Sequence, residues 1–296
     1  MTKNIGWELY RSFLAVLTHG SLSAAARALG ITQPTVGRHI AELEASFKQT
    51  LFTRSRTGLM PTEAALTLRG YAEAMHSNAA ALERAMAGQG QTMGGTVRIT
   101  ASEVISVEVL PPALARLRHA YPHLTVELVA SNRVQDLLQR EADIAVRMTP
   151  PKQEQLIARH VGNVELGLYA QADYLQRQGT PAVPADLARH TLIGFDTETP
   201  FVRAASKRVS GWTREGFSLR SDSDLAQLAM IRAGAGIGFC QAAVARRDAG
   251  LVRVLPEPYT FQLDAWVTMH EDLRNSPRCK VVFDALVQCL LVHTAI

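Results

Sequence analysis

Four side chains in a short segment have the types and spacing of a surface that reads DNA bases. They are Gln33, Pro34, Thr35 and Arg38. A guanidinium can donate two hydrogen bonds to O6 and N7 of guanine, and a glutamine amide can pair in the same way with adenine. Thr35 and Pro34 could contact a thymine methyl group. The set predicts base recognition with Arg38 as the principal reader, and the alternative is a set of solvated helix residues.

The elements that would hold these side chains outward are two short helices joined by a tight turn. In the second helix, Val36, Ile40 and Leu43 recur at i, i+4 and i+7, as a buried stripe should, and the base-reading set lies opposite. The first helix would start after Ser21, whose hydroxyl can cap free amides, and end at Gly30, which suits a left-handed position. This arrangement predicts a helix-turn-helix.

Five further side chains are candidates for phosphate contacts. Ser21, Ser23 and Thr32 lie near predicted helix N-termini, and Arg54 and Arg56 lie in a basic turn between two predicted strands, as in a wing. The serines could be plain helix caps, and the arginines could enter the minor groove or only keep a hairpin soluble. Residues 1 to 95 hold 9 Lys+Arg against 6 Asp+Glu, so the positive charge is concentrated in this part of the chain.

Residues 62 to 86 predict a long helix that needs a partner. Its apolar side chains step alternately by four and three over three heptads, which is the pattern of a coiled-coil seam. The seam consists of Leu68, Ala72, Met75, Ala79, Leu82 and Met86. Because such a seam must be buried, two copies are expected to associate with two-fold symmetry on an inverted-repeat DNA site. Four glycines between 88 and 95 then predict a hinge.

Beyond the hinge, predicted strands and helices alternate. The first five elements are strand 96–101, helix 108–119, strand 124–129, helix 134–140 and strand 143–148, followed by strands at 164–170, 191–195 and 264–269 and helices at 224–233, 239–247 and 277–292. A βαβαβ order implies a parallel sheet covered by helices.

Polar side chains at the carboxyl ends of these strands are candidates for binding a small ligand, because loops and helix N-termini converge there. The set consists of Thr100, Ala101, Ser102, Arg147, Thr149, Phe195, Asp196, Ser221, Asp222 and Ser223. A helix cap is the alternative for Ser102, and a salt bridge to the scaffold is the alternative for Arg147.

Composition excludes several classes of protein. A chain of 296 residues suggests about two domains, and 47% hydrophobic residues exclude a disordered chain. No apolar run could cross a bilayer, and three cysteines without a C-x-x-C pair favour a reducing cytoplasm. His119 and His123 are separated by Pro122, so no metal site or cofactor is predicted. His39 lies off the outer face of its helix, which favours a structural role.

Residues 21–44, S-L-S-A-A-A-R-A-L-G-I-T-Q-P-T-V-G-R-H-I-A-E-L-E, closely resemble the helix-turn-helix of LysR-type transcriptional regulators. The match continues through L-F-T-R-S-R-T-G-L-M-P-T-E-A at 51–64, E-A-D-I-A-V-R at 141–147, A-G-A-G-I-G-F at 233–239 and H-E-D-L-R-N-S-P-R at 270–278. The resemblance spans the whole chain. Gly37 departs from it, because the family usually has serine there, and so does the linker start at Met60-Pro61.

The resemblance implies an N-terminal all-α winged helix-turn-helix at 1–61, a dimerising linker helix and hinge at 62–91, and an effector-binding domain at 92–296. That C-terminal α/β domain would be similar to type 2 periplasmic binding proteins, with subdomain I at about 92–161 and 268–296 and subdomain II at about 162–267. The implied partners are double-stranded DNA, a small-molecule effector in the cleft, further copies of the chain up to a tetramer, and potentially RNA polymerase.

A different class of protein remains as the alternative. The chain could be an α/β enzyme or a small-molecule-binding module whose N-terminal helices serve only assembly. That hypothesis expects turnover or ligand affinity in residues 92–296 and no DNA affinity in residues 1–87. The basic wing and the face from Gln33 to Arg38 count against it.

Overall fold

The computed structural model describes residues 5–55, 58–87, 94–132, 142–151, 155–209, 211–257 and 259–295. The chain divides into an N-terminal unit that ends at Met86 and a C-terminal unit that starts at Ala87. Each unit has its own hydrophobic core.

The N-terminal unit contains three short helices, a hairpin and a long helix. They are α1 (Trp7–His19), α2 (Leu22–Leu29), α3 (Gln33–Phe47), β1 (Phe52–Ser55), β2 (Gly58–Pro61) and α4 (Glu63–Ala87). The Ser21 hydroxyl caps α2 by accepting a hydrogen bond from Ala24 N at 3.2 Å, and Gly30 ends this helix with φ 67°. The Thr32 hydroxyl caps α3. The predicted helix-turn-helix is confirmed.

Apolar side chains of all four helices meet in the core of this unit. Phe13, Val36 and Leu43 are completely buried, and the Phe13 ring lies 5.7 Å from that of Phe52 on the hairpin. The stripe predicted for α3 therefore faces inward. His39 accepts or donates a hydrogen bond with Ser12 at 2.7 Å, which agrees with the structural role predicted for it.

The long helix α4 corrects part of the predicted coiled-coil seam. Ala72 is completely buried in the core of its own chain, and Leu68 packs partly buried against the same core. The prediction that Ala72 faces a partner is therefore wrong, because α4 packs along the other helices of its own unit before it leaves them. Met75 is 40% exposed, and the most exposed apolar side chain nearby is Tyr71, at 73%.

The remaining seam residues are less informative. Ala79 is half-buried, whereas the side chains of Leu82 and Met86 lie outside the described residues. For Leu68, Met75, Ala79, Leu82 and Met86 the dimerisation role stays a prediction.

The C-terminal unit is built on a seven-stranded mixed sheet. Its strands are β3 (Gly95–Ala101), β4 (Leu124–Ala130), β5 (Ile144–Arg147), β6 (Leu156–Gln171), β9 (Gly238–Gln241), β10 (Leu251–Val254) and β11 (Phe261–His270). The order is β10-β6-β11-β5-β3-β4, and β9 also pairs with β6. Only β3 pairs in parallel, with β4 and β5, while β11 runs antiparallel to β5 and β6. The expected parallel sheet is thus limited to three strands.

Two long antiparallel strands, β6 and β11, run through both halves of the C-terminal unit. At one end of β6, Val161 and Val164 belong to a core formed with β3, β5 and the C-terminal helix α10 (Pro277–Thr294). At the other end, Leu168 and Ala170 belong to a second core, which contains Trp212. The two subdomains implied by the family resemblance are present, joined by these crossover strands.

Helices cover the sheet and differ in places from those predicted. They are α5 (Pro111–Ala120), α6 (Ala172–Gln178), α7 (Pro200–Ser206), α8 (Asp224–Arg232), α9 (Ala242–Ala245) and α10. A π-helical turn (Ile105–Val109) precedes α5, and a short strand β7 (Ile193–Gly194) pairs with β8 (Leu219–Arg220). The helix predicted at 134–140 falls outside the described residues.

The helix predicted at 239–247 is wrong in its first half. Gly238–Gln241 form strand β9, paired antiparallel with residues 166–169 of β6, and only Ala242–Ala245 are helical. A short, continuous apolar run does not distinguish a buried strand from a buried helix, because neither leaves a polar face.

Candidate nucleic-acid interface and ligand cavity

The outer face of α3 presents its polar side chains to solvent. Gln33, Pro34 and Arg38 are exposed and Thr35 is half-buried, whereas Val36 and Ile40 on the opposite side are buried. Arg38 has no hydrogen-bond or ion-pair partner among the residues that the structure describes. An arginine tucked against its own subunit is thereby excluded in this structure, and the guanidinium is free to meet a partner.

The N-terminal end of this face is held by side-chain hydrogen bonds. Ser23 Oγ donates to Gln33 Oε1 at 3.0 Å, and the hydroxyls of Thr32 and Thr35 lie 2.8 Å apart. Ser21 and Thr32 act as caps, which was the alternative for Ser21; a phosphate contact by either stays a prediction. The Ser23 bond thus gives the Gln33 amide oxygen a partner within its own chain.

The hairpin β1–β2 is positioned by a close backbone contact that the sequence did not reveal. Leu59 N donates to Gly20 O at 2.8 Å, and a Cβ on Gly58 would lie 2.6 Å from the same oxygen. Gly58 also has φ 128°, so only glycine fits well. Arg54 is exposed on β1, and Arg56 lies outside the described residues.

A cavity of about 280 Å³ lies between the two cores of the C-terminal unit, beside the crossover strands. Of the predicted ligand-binding residues, Ser102, Arg147, Thr149 and Phe195 line it. The residues that complete the lining are Val104, Asn132, Met148, Leu166, Phe201, Asp224, Gln227, Leu228, Phe239, Cys240, Gln241 and Leu263.

Six predicted residues do not line this cavity, so a ligand contact by any of them stays a prediction. Thr100 accepts a hydrogen bond from the lining residue Arg147, and Ala101 is buried in a core. The other four contact residues outside the cavity lining: Asp196 pairs with Arg214, Asp222 accepts two hydrogen bonds from Thr197, Ser221 accepts one from Ser223 N, and Ser223 donates to Glu103. Residues that line the cavity and residues that do not line it both lie at strand ends, so the sequence rule for strand ends does not distinguish the two groups.

Arg147 brings a buried positive charge to the cavity. Its guanidinium donates to Thr100 Oγ1 at 2.7 Å and to Val146 O at 3.1 Å. Burial lowers the pKa of Arg147 to about 10, so the group is still cationic at neutral pH. Nearby, the buried Ser102 Oγ has no hydrogen-bond partner among the described residues. Both groups are donors for an anionic or carbonyl ligand.

Asp224, the first residue of α8, is a cavity residue that the sequence reasoning missed. Its Oδ2 accepts a hydrogen bond from Asn132 Nδ2 at 2.7 Å, and Asn132 Oδ1 accepts one from Glu103 N at 3.1 Å. Burial raises the pKa of Asp224 to about 6, and the charge of Glu103 adds to this effect. Asn132 follows β4, so the strand-end rule could have found it; Asp224 lies one residue beyond Ser223.

The two subdomains are also joined by an ion-pair network behind the cavity. Arg232 of α8 donates two hydrogen bonds to Glu108, at 2.6 and 2.9 Å, and also pairs with Asp248 at 3.3 Å. Arg247 donates to Glu108 O at 2.8 Å. The bond to Arg232 lowers the pKa of Glu108. This network holds one relative position of the subdomains.

Metal and thiol chemistry find little support in the described part of the chain. No group of three His, Cys, Asp or Glu side chains there could hold a metal ion. Cys240 lines the cavity, but burial raises the pKa of its thiol to about 12, so it stays protonated. No described helix is long and apolar enough to span a membrane.

Comparison with known families agrees with both units. A model of the LysR substrate binding domain matches residues 90–290, and a model of the bacterial regulatory helix-turn-helix protein, lysR family, matches residues 7–66.

Two relatives show how far this similarity extends along the chain. An HTH-type transcriptional regulator of Xanthomonas campestris pv. campestris (strain 8004) is 30% identical over 186 residues, which are 62% of this chain and 53% of the relative. The match therefore spans about half of that relative's length. The probable HTH-type transcriptional regulator LtrA of Klebsiella pneumoniae is 28% identical over 284 residues, 93% of this chain and 91% of the relative.

Solved structures share the fold. CrgA of Neisseria meningitidis, a LysR-type transcriptional regulator, superposes with a TM-score of 0.60 at 24% identity over 96% of this chain and 98% of that chain. CbnR, solved in full length with its target DNA, gives 0.63 at 20% identity over 96% of this chain and 99% of that chain. Because the substrate-binding model alone covers more than half of the residues, the chain belongs to the LysR family.

Proposed function

We propose that the protein is a transcriptional regulator that binds specific DNA through α3 and responds to a small effector held in the cavity of the C-terminal unit. It acts in the cytoplasm and catalyses no reaction. The observation that carries the proposal is the solvent-exposed face of Gln33, Pro34 and Arg38 on a helix whose other side is buried.

The DNA-binding part of the proposal rests on the chemistry of that face. The exposed guanidinium of Arg38, which has no partner in the described part of the chain, suits bidentate bonding to guanine, and Gln33, which accepts a hydrogen bond from Ser23, suits adenine. The caps Ser21 and Thr32, together with Arg54, lie in the same unit and would anchor phosphates. Relatives described as transcriptional regulators support this role.

Control by an effector follows from the construction of the C-terminal unit. The cavity is lined by both subdomains, so a ligand that contacts both changes the free energy of their relative position. Coupling to DNA requires that this position differ between DNA-binding states of the assembly. The partners of the chain would be a second copy, bound through α4, a second such dimer in a tetramer, and RNA polymerase.

The DNA-binding claim is tested by fluorescence anisotropy on the promoter next to the protein's own gene. Arg38→Ala is expected to weaken specific binding by about 5- to 150-fold, the equivalent of the roughly 1–3 kcal/mol carried by a bidentate base contact. Arg69→Ala removes the same charge from an exposed ion pair on α4 and serves as the matched control. Equal affinities for Arg38→Ala and wild type on specific DNA would contradict the proposal.

A further inference from the structure

The cavity of the C-terminal unit combines one guanidinium and one carboxyl with mostly apolar walls, and this combination bears on the class of its ligand. The inference rests on the proposed function, in which this cavity is the effector site. Among the described lining residues, Arg147 and Asp224 are the two that carry charge at neutral pH. A ligand must be compatible with both charges, because both face the same small space.

The subdomain I side of the cavity suits a carboxylate. The guanidinium of Arg147 is fixed by its bonds to Thr100 and Val146, and its burial strengthens attraction for an anion in the cavity. The Ser102 hydroxyl is buried and has no partner among the described residues, so a ligand oxygen would satisfy it.

The Asp224 side of the cavity suits an ammonium group. Asn132 gives the carboxyl one neutral hydrogen bond at 2.7 Å, and Glu103, which accepts from Ser223 Oγ at 2.7 Å, adds a second negative charge nearby. With a pKa of about 6, Asp224 is ionised at pH 7.5. A cationic ligand group would stabilise this partly buried carboxylate, whereas an anionic group placed there would be repelled.

The rest of the cavity suits an apolar body. The rings of Phe195, Phe201 and Phe239 line it, and Phe201 meets Phe239 edge to face with centroids 5.3 Å apart. Such rings offer their faces and edges to an aliphatic or aromatic group. The cavity volume of about 280 Å³ lies just below the roughly 300–1,000 Å³ that is typical of ligand sites, so it matches a single small molecule.

Ligands with only one charge fit these features less well. An apolar carboxylate without an amine would leave Asp224 ionised and repelling it, and an apolar amine without a carboxylate would meet the charge of Arg147. We infer that the cavity takes a free α-amino acid with an apolar or aromatic side chain, whose carboxylate meets Arg147 and Ser102 and whose ammonium meets Asp224.

Calorimetric titration of the full-length chain at pH 7.5 tests this inference. The probes are L-phenylalanine and L-leucine, each beside the acid that lacks the amine (3-phenylpropanoate, 4-methylpentanoate) and the amine that lacks the acid (phenethylamine, isopentylamine). At least one amino acid is expected to bind about tenfold or more tightly than both of its single-charge analogues, because each charged hydrogen bond contributes that much.

Variants assign each end of the ligand by a ratio of affinities, which a merely structural effect would not change. Asp224→Asn is expected to reduce the preference for the amino acid over its amine-free acid by about tenfold, and Arg147→Gln to reduce its preference over the acid-free amine by a similar factor. Ser102→Ala probes the carboxylate end again if Arg147→Gln does not fold. Asp264→Asn removes an exposed carboxyl outside the cavity and should change neither ratio.

Three results of these titrations would contradict the inference. The inference is overturned if a single-charge analogue binds as tightly as its amino acid, or if neither amino acid binds at millimolar concentration. It is also overturned if Asp224→Asn leaves the preference unchanged. Failure of the proposed function is a separate outcome, read from the Arg38→Ala DNA titration, which does not involve the cavity.

Discussion

The two units keep their functional polar groups in opposite environments. On α3 the groups come from six consecutive residues, Gln33 to Arg38, and Arg38 is exposed to water without a partner among the described residues. In the C-terminal cavity they come from segments far apart in the chain, and Arg147 and Asp224 are largely withdrawn from water, so their pKa values move. Function and stability are therefore separable on α3, because exposed groups cost little, and are coupled in the cavity, because buried charges are costly.

His293 and Asp224 have the largest expected effects on the stability of the C-terminal unit, and His293 is considered first. It is buried on α10, where its Nε2 lies 3.1 Å from Gln241 Oε1 and Arg247 approaches its Nδ1 at 3.5 Å. Burial, and secondarily the charge of Arg247, lowers the pKa of His293 to about 4. The folded state thus holds this proton less tightly than the unfolded state. Its stability contribution is complete above about pH 6.5 and is lost as pH falls toward 4.

When the pH falls from 7.5 to 4.5, protonation of His293 should lower the free energy of unfolding by about 2–3 kcal/mol, and the variant His293→Gln should not show this loss. The measurement is urea unfolding in a Trp7→Phe background, so that fluorescence comes from Trp212 and Trp266 of the C-terminal unit. Parallel pH profiles for the two proteins would show that His293 is not buried as a neutral ring.

Asp224 sharpens the comparison because its expected effect has the opposite sign. Its folded pKa of about 6 lies above the ordinary value of 3.8, so the contribution of its proton is complete below about pH 3.8 and is lost as pH rises through 6. At pH 7.5, the ionised carboxyl should destabilise the unit by up to about 3 kcal/mol. Asp224→Asn should therefore stabilise the ligand-free protein at pH 7.5.

The difference in stability between Asp224→Asn and wild type should disappear near pH 4. Urea unfolding, as described for His293, measures this difference at both pH values. Arg38→Ala is the comparison from the other unit and should change stability by less than about 0.5 kcal/mol. A variant Asp224→Asn that is less stable than wild type at pH 7.5 would mean that the carboxylate is a net stabilising partner of Asn132.

In the N-terminal unit, we expect a loss of stability when the backbone contact that positions the hairpin β1–β2 is disturbed. Gly58→Ala should destabilise this unit by about 2 kcal/mol, because φ is 128° and the new Cβ would approach Gly20 O at 2.6 Å. Thermal unfolding followed by far-ultraviolet circular dichroism is the measurement, because the fluorescence of Trp7 overlaps with that of Trp212 and Trp266. Gly70→Ala on α4 is the matched control: its Cβ would meet nothing within 4 Å, and it should stabilise the helix by about 0.5–1 kcal/mol. Equal responses of both variants would exclude the Gly20 contact.

The same contrast explains which features the sequence could predict. Ser21, Gly30, Thr32 and the stripe from Val36 act within a few residues, so caps and periodicity located α3 and its outer face. The contact between Gly20 and Gly58 escaped because it joins residues distant in sequence.

The cavity was accessible only in part. Rules for strand ends found Ser102, Arg147, Thr149 and Phe195. Phe239 was missed because its position depends on the antiparallel pairing of β9 with β6, which joins residues far apart in the chain. Asp224 was missed because the predicted set ended at Ser223, one residue before the start of α8.

The smallest expected change in stability concerns Ala72. It tests whether this residue belongs to the core of its own chain or to an interface between two chains. Heptad spacing assigns it to a seam between two chains, whereas the structure buries it completely in the core of its own chain. Ala72→Leu should therefore overpack that core and destabilise the N-terminal unit by about 1–2 kcal/mol, without strengthening self-association. Thermal unfolding and sedimentation equilibrium measure the two quantities. Met75→Leu, at a half-exposed seam position, is the control and should leave the core unaffected. Tighter dimers with unchanged unfolding for Ala72→Leu would place Ala72 at the interface, because the three added carbon atoms of leucine can be accommodated only where space is left for a partner.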